Sequence, residues 1–291
     1  KGLDFTREYI LKLGIICLGI QLKPFEFLEF GKIAIPLIVI CIISVLIIIK
    51  LLIKKLKIPT RMAYLISIGC TVCGTTAIMA TAPVIKASKN EVSYAIANIT
   101  LFGILSMLLY PYFAHFYFDN QPLLAGLFLG TSIHETSQVA AAGLIYDQQF
   151  NSQETLNIAT VTKLIRNTFL IIMIPLFAFL YNRGKTKEKS YSILNIFPYF
   201  VLGFVGMIFI RNIGDQLFVS STSFNWSETI EIIKFLSKIF LTMAMAAIGL
   251  STNLKDIKNM GYKPFIVGFV AMLTVGIVCI ITIESYLKFF I

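Results

Sequence analysis

Four long uncharged runs constrain the fold of this chain more than any other feature of its sequence. They cover residues 33–49, 92–118, 193–210 and 265–283. A helix needs roughly 20 apolar residues to cross the hydrocarbon core of a bilayer, and these runs approach or reach that length. Because 57% of all residues are hydrophobic and only 14% are charged, the whole chain departs from soluble composition. We therefore predict an all-α, polytopic membrane protein in which residues 1–291 form a single integral membrane domain.

The basic residues lie in short loops between the apolar runs. With 25 Lys and Arg against 15 Asp and Glu, the formal charge is +10, which would suit a nucleic-acid partner if these residues formed a basic domain. They do not, and the excess of Lys and Arg in the cytoplasmic loops of membrane proteins accounts for them. We therefore place the clusters at residues 50–61, 183–189 and 255–263 in the cytoplasm and expect no nucleic-acid partner.

The cysteines give no sign of a disulfide framework or a metal site. Their number is odd, and most of them lie within apolar runs, so we expect buried free thiols. Cys70 and Cys73 form a CxxC pair, but no second ligand pair follows and no thioredoxin-like βαβ pattern surrounds it. No metal or cofactor is expected, apart from a Na⁺ ion that could take part in transport.

The segment at residues 123–146 carries an ionisable pair, His134 and Glu135, inside an otherwise apolar stretch. Such groups are costly within a bilayer and usually mark functional sites, although the pair could also merely hold the local structure together. Apolar sequence ends at Gly130 and resumes at Val139, which is the pattern of a broken helix. The further polar residues of this break, which we take as candidate ligands, are Thr136, Ser137 and Gln138.

This break has a counterpart earlier in the chain. The stretch 66–80, ISIGCTVCGTTAIMA, aligns without gaps to the stretch 127–141, LFLGTSIHETSQVAA, and pairs Gly74 with Glu135. A duplicated unit, made of a broken helix and a following helix, is the simplest interpretation. Small residues here could simply allow close helix packing. The candidate ligands in this first unit are Cys73, Gly74, Thr75 and Thr76.

The charges of the loops indicate how the two units lie in the membrane. If both broken segments crossed it, the units would be parallel, and Lys86 and Lys89 would lie outside, against the positive-inside rule. If one segment re-enters from the cytoplasm and the other from outside, the charges fit and the units become inverted repeats. We therefore predict about nine membrane segments, of which two are broken or re-entrant and related by internal inverted repeats.

Two further groups complete the candidate site. Lys163 and Arg166 lie on one face of the sixth segment, residues 156–181. The guanidinium fork of Arg matches an oxyanion, but both side chains could instead lie at a helix end and reach water. Asn253 ends the eighth segment, where a helix C-terminus could bind Na⁺, although a helix cap is the simpler interpretation.

The same stretches resemble a known family. GCTVCGTTAIMATAPVIKA, TSIHETSQVAAAG, TKLIR and MAMAAIGLSTNL are similar to the characteristic stretches of the YeiH-type family of bacterial membrane proteins, often labelled as sulfate exporters. The resemblance covers essentially the whole chain. It implies three groups of site residues: Cys73 and Gly74 in one broken helix, His134, Glu135 and Gln138 in the other, and the basic pair Lys163 and Arg166.

The chain departs from the family pattern at two places. Family members usually have one or two further membrane segments before the position of Lys1, so the resemblance implies that N-terminal spans are missing here. Thr75 and Thr76 stand where smaller residues such as Ala are expected, which implies a more polar pocket.

Together these features predict a secondary transporter, not an enzyme, with several spans in the bacterial plasma (inner) membrane. It would export a small inorganic or sulfonate-type anion such as sulfate, coupled to H⁺ or Na⁺ through Glu135 with His134, while Lys163 and Arg166 hold the anion. Two alternatives stay open: a Na⁺/H⁺-type cation transporter using Glu135, and, less favoured, an intramembrane enzyme using Cys73 or His134. The expected partners are the lipid bilayer, a small anion or cation, and a second copy of the chain in a homodimer.

Overall fold

The computed structural model describes residues 2–21, 24–82, 85–119, 121–152, 154–182, 199–218, 225–251 and 261–287. Helices make up nearly all of this part of the chain, and no strand occurs in it. The predicted all-α class is therefore confirmed.

The first half of the chain contains one long helix and one interrupted helix. Its elements are α1 (Gly2–Phe5), a π-helical turn (Thr6–Ile10), α2 (Leu11–Leu18), a 3₁₀ turn (Gly19–Gln21), α3 (Pro24–Leu56), α4 (Thr60–Thr71), α5 (Thr75–Thr81) and α6 (Lys89–Tyr117). A capping box fixes the start of α6, because Ser88 Oγ accepts from the Glu91 N–H at 3.3 Å while Glu91 Oε2 accepts from the Ser88 N–H at 2.7 Å.

The second half contains another interrupted helix and a bent one. Its elements are α7 (Pro122–Ser132), α8 (Thr136–Phe150), α9 (Thr155–Thr168), α10 (Leu170–Asn182), α11 (Tyr199–Leu217), α12 (Trp226–Ser251) and α13 (Lys263–Leu287). The two helix breaks expected from the sequence are therefore present, between α4 and α5 and between α7 and α8.

Several helices can cross a membrane. Three stretches are long and apolar enough by length and composition: Phe30–Leu56, Asn90–Tyr117 and Lys263–Ser285. The stretch predicted as one sixth segment is bent by 40° between Thr155–Thr168 and Ile172–Tyr181, and it would add a fourth span if the bent pair crosses as one unit. The protein is thus a multi-pass membrane protein.

The chain divides into two compact units. One contains Lys1–Phe30 and Pro198–Thr252, and the other contains Gly31–Phe197 and Asn253–Ile291. The boundary falls inside α3, and the single transport domain expected for residues 1–291 stays a prediction.

In the first unit, α2 packs against α11 and α12. Gly19, in the 3₁₀ turn after α2, lies so close to the backbone of Phe204 that a Cβ atom there would collide with it. Ser237 of α12 donates a hydrogen bond to the carbonyl of Gly14 at 2.8 Å. Small residues and a side-chain hydrogen bond therefore join these helices, as is usual in membranes.

In the second unit, α9 packs closely against α7 and α8. Gly126 and Gly130 bring α7 so near that added Cβ atoms would lie 2.6 Å from Cβ of Ile158 and 2.7 Å from Cβ of Thr162. The packing places the end of α7 beside the part of α9 that carries Lys163.

Helices α6 and α13 of the second unit are joined by side chains of α6. Each donates a hydrogen bond to a carbonyl in or just before α13: Tyr94 to Gly261 at 2.7 Å, Asn98 to Pro264 at 2.7 Å and Tyr110 to Met272 at 3.2 Å.

Candidate functional site

The two helix breaks have different backbone conformations. After α4 ends at Thr71, the chain turns at Gly74, whose φ of 65° lies in the left-handed region that favours glycine. After α7 ends at Ser132, Ile133 and Glu135 are extended, with ψ of 139° and 143°. Each break leaves helix-end carbonyls and N–H groups that need other partners.

Lys163 bridges the two breaks. Its side chain is fully buried, and Nζ donates to the carbonyls of Val72 at 2.9 Å, Ile133 at 2.9 Å and His134 at 2.6 Å. An ammonium group has three donors, so these bonds use all of them. Lys163 therefore binds backbone on both sides and has no donor left for a ligand.

Arg166 makes a similar bridge one helical turn further along α9. Its Nε donates to the carbonyl of Thr71 at 2.9 Å, and its terminal nitrogens donate to the carbonyls of Cys70 and Thr131, with a longer contact to Ile133 at 3.4 Å. Positive charge is favourable at a helix C-terminus. The two cations together cap the C-terminal ends of α4 and α7.

The contacts of these two cations follow the internal repeat of the sequence. The carbonyls that each cation holds include one pair, with one member from each break, that occupies equivalent positions in the gapless alignment. The equivalent pairs are Val72 with Ile133, held by Lys163, and Cys70 with Thr131, held by Arg166.

Glu135 closes the N-terminal end of α5. Its Oε1 accepts from the backbone N–H of Thr75, the first residue of α5, at 3.0 Å. The side chain is 2% exposed, and Oε2 has no partner in the described part of the chain. Gly74 gives this carboxylate its space, because a Cβ atom there would lie 2.6 Å from Cγ of Glu135.

His134 and Cys73 are buried at equivalent positions of the two breaks. His134 is 1% exposed, and neither ring nitrogen has a hydrogen-bond partner among the described residues. Cys73 is a buried free thiol. Since buried polar groups are nearly always paired, the imidazole of His134 is a candidate ligand-binding group.

The first turn of α8 has two differently placed side chains. Thr136 Oγ1 accepts a hydrogen bond from Asn167 Nδ2 of α9 at 3.1 Å. Gln138 points to α6 instead, where Nε2 donates to the carbonyl of Thr100 at 3.3 Å and the side-chain amide lies against Gly103.

The structure gathers most of the predicted site residues around the two breaks: Cys73, Gly74, Thr75, Thr76, His134, Glu135, Thr136, Ser137, Lys163 and Arg166. Gln138 belongs to the same turn but faces α6, and Asn253 lies outside the described residues. Sequence reasoning missed Asn167, whose only signal is a polar side chain directly after Arg166. Within the described ranges no group of three His, Cys, Asp or Glu residues could hold a metal ion.

Comparison with known proteins finds bacterial membrane proteins along almost the whole chain. A family model described as Conserved hypothetical protein 698 matches residues 1–268. A UPF0324 membrane protein of Streptococcus agalactiae serotype V is 37% identical over 279 residues, which are 96% of this chain and 81% of the relative. UPF0324 membrane proteins of Fusobacterium nucleatum and Clostridium tetani are 34% and 32% identical, again over 96% of this chain and over 82% and 80% of their own lengths. No solved structure gives a significant match.

Proposed function

We propose that this chain, which belongs to the Conserved hypothetical protein 698 (UPF0324) family of membrane proteins, is a secondary transporter for a small anion. Membership of this family, expected from the motifs, is confirmed. The transported species would be a small inorganic or sulfonate-type anion such as sulfate, exported across the bacterial plasma (inner) membrane with coupling to H⁺ or Na⁺. No catalytic reaction is assigned to the protein.

The observation that supports transport is the buried carboxylate of Glu135 between two broken helices. A carboxylate at such a place is costly unless it is paired, and here only one oxygen has a partner among the described residues, the N–H of Thr75. Half-helices that meet around ionisable groups are typical of the ion and substrate sites of secondary transporters.

The charges around the breaks favour an anion. Lys163 and Arg166 bring two positive charges, while each helix C-terminus that they cap carries roughly half a negative charge and Glu135 carries one. The N-terminal ends of α5 and α8 add up to roughly half a positive charge each. The balance is an excess of roughly one positive charge, which rises to about two when Glu135 is neutralised.

This balance gives Glu135 a coupling role. When H⁺ or Na⁺ neutralises the carboxylate, the site becomes more positive and binds an anion more strongly. Because the Lys163 donors are all used by carbonyls, we assign this side chain the role of fixed positive charge without direct contact to the anion.

The proposal includes the finer architecture. We propose about nine membrane segments in one transport domain, with two re-entrant segments related as inverted repeats, in a homodimer embedded in lipid. Support for the repeats comes from the equivalent pairs of carbonyls that Lys163 and Arg166 hold.

Replacing Glu135 by Gln tests the coupling role. In proteoliposomes loaded with radiolabelled sulfate, we expect Glu135→Gln to lower H⁺- or Na⁺-dependent efflux by at least about tenfold, since the amide cannot titrate. The fold should persist, because the amide oxygen can still accept from the Thr75 N–H. The matched control is Glu284→Gln, which alters an exposed carboxylate bonded to Tyr117 at 2.8 Å and should leave efflux unchanged. Unchanged coupled efflux in Glu135→Gln would refute the assignment.

A cation transporter is the second candidate, favoured by the unpaired Oε2 of Glu135. In this alternative, Na⁺ binds the carboxylate directly and no anion moves. The thermal unfolding midpoint of the purified protein distinguishes the two when sulfate is added as its choline salt and Na⁺ as its gluconate salt. Stabilisation by sulfate supports the anion transporter, whereas stabilisation by Na⁺ without any effect of sulfate supports the cation transporter.

A further inference from the structure

The two helices that restart after the breaks have unequal partners. At α5, the N–H of Thr75 is bound by the Glu135 carboxylate. The equivalent residue at the start of α8 is Thr136, but the residue equivalent to Glu135 is Gly74, which has no side chain. The N–H groups of Thr136 and Ser137 consequently have no acceptor in the part of the chain that the structure describes.

A buried amide lies beside this open helix end. Asn167 is 9% exposed, and its Nδ2 donates to Thr136 Oγ1 at 3.1 Å, which places it at the first turn of α8. Its Oδ1 has no partner among the described residues, and none is found there for the second amide hydrogen. Because Thr136 Oγ1 accepts the amide hydrogen, the hydroxyl hydrogen of Thr136 is free to donate elsewhere. The second amide hydrogen of Asn167 and the hydroxyl hydrogen of Thr136 are thus two donors without an acceptor among the described residues, and unused donors at a buried place indicate a ligand that accepts hydrogen bonds.

The cation Lys163 lies near the start of α8. Asn167 follows Lys163 by four residues on α9, so both side chains lie on the same face of that helix. The ammonium group of Lys163 is held at the second break, 2.6 Å from the carbonyl oxygen of His134. A negatively charged ligand at the start of α8 would therefore gain from this cation and from the positive end of the α8 dipole.

We infer that the first turn of α8, together with Asn167, is the binding site for the oxyanion that the proposed transporter moves. The N–H groups of Thr136 and Ser137, the Thr136 hydroxyl and the Asn167 amide donate to its oxygen atoms. Glu135 and the ligand thereby occupy equivalent positions in the two repeats: an internal carboxylate on α5 and a transported oxyanion on α8. This site presupposes the transport function proposed above and adds the place and the donors of its substrate.

Asn167→Asp tests the site, with sulfate as the probe. The substitution keeps the shape of the side chain but replaces its donors by a carboxylate, so we expect the affinity of the purified protein for sulfate, measured by isothermal titration calorimetry, to fall by at least about tenfold. The matched control is Asn157→Asp, which adds the same charge to an exposed position of the same helix. Its sulfate affinity should stay within about twofold of the unchanged protein, because exposed charges are screened.

A second variant covers the case in which Asn167→Asp does not fold. Thr136→Val removes one hydroxyl donor at constant shape and should weaken sulfate binding about threefold to tenfold. Sulfate binding as strong in Asn167→Asp or in Thr136→Val as in the unchanged protein overturns the α8 site. If the unchanged protein moves sulfate in proteoliposomes and these variants bind it normally, the site alone is wrong. If the unchanged protein neither binds nor moves any anion, the transport function fails first.

Discussion

The two helix breaks of this protein are alike where the half-helices end and different where they restart. At the C-terminal ends of α4 and α7, equivalent carbonyls accept from Lys163 and Arg166. At the restarts, the first break has Cys73 and Gly74, whereas the second break has His134 and Glu135. The two breaks thus share their supporting cations and differ in the residues that can meet a ligand.

At the restarts, Gly74 of the first break and Glu135 of the second break fit together. Gly74 has a positive φ and no side chain, and the space beside it is filled by the carboxylate of Glu135. Glu135 in turn has extended backbone and needs no glycine. An exact repeat could not form this arrangement, since two glycines would leave both helix starts open and two glutamates would collide.

Removing Lys163 should have the largest effect, because it supports both breaks. Lys163→Met removes the Lys163 hydrogen bonds of the buried Val72 and His134 carbonyls, at about 1–3 kcal/mol each, and leaves Ile133 only its 3.4 Å contact with Arg166. We expect a much lower thermal unfolding midpoint in detergent, or no folded protein on size-exclusion chromatography. The matched control is Lys234→Met, which removes a 2.8 Å ion pair with Glu231 whose side chains are 38% and 70% exposed. Such pairs contribute about 0–1 kcal/mol. Equal unfolding midpoints for the two variants would therefore contradict the claim that Lys163 stabilises both breaks.

Adding a side chain at Gly74 should have an intermediate effect. Gly74→Ala strains a backbone with φ of 65° by about 1–3 kcal/mol and also displaces Glu135, whose Cγ would lie 2.6 Å from the new Cβ. We expect folded protein with strongly reduced coupled sulfate efflux. Gly261→Ala is the matched control, because Gly261 has φ of 77° but no atom within 4 Å of the added Cβ. Equal coupled efflux from the two variants, per folded protein, would show that the contact with Glu135 does not matter.

Some of this site could be predicted from the sequence because the signals were local. The polar residues after Gly130, and their alignment with the stretch around Gly74, located both helix breaks correctly. The partners of Lys163 could not be predicted in the same way, because Val72 lies 91 residues away in the chain and only tertiary packing brings it near. The positive charge of Lys163 suggested that it binds an anion, whereas its donors are bound to backbone carbonyls.

Asn167 and Gln138 illustrate the same limit. Asn167 has no spacing signal in the sequence, and its hydrogen bond to Thr136 depends on the packing of α8 against α9. Gln138 shares a turn with Glu135 and was therefore predicted as a ligand, but helix geometry points it towards α6. Position along the sequence predicts which turn a side chain belongs to, whereas its direction depends on the neighbouring helices.

Changing Gln138 should have the smallest effect. It tests whether the two helix breaks also differ in function at this position. Its equivalent after the first break is Ala77, which is also buried. Gln138→Ala removes a hydrogen bond of 3.3 Å to Thr100, worth about 0.5–1.5 kcal/mol, together with an unpaired amide oxygen whose burial is unfavourable. The two changes partly cancel, so we expect a small shift of the unfolding midpoint and sulfate efflux within about twofold of the unchanged protein.

Gly103→Ala provides the internal check on this orientation, because its new Cβ would collide with the Gln138 amide. Alone it should destabilise the protein, and in the Gln138→Ala background the loss should be smaller, since the colliding group is gone. A double variant whose losses simply add would place Gln138 elsewhere. A large loss of sulfate efflux in Gln138→Ala, without loss of folded protein, would return this side chain to the binding site and add a further position at which the two breaks differ.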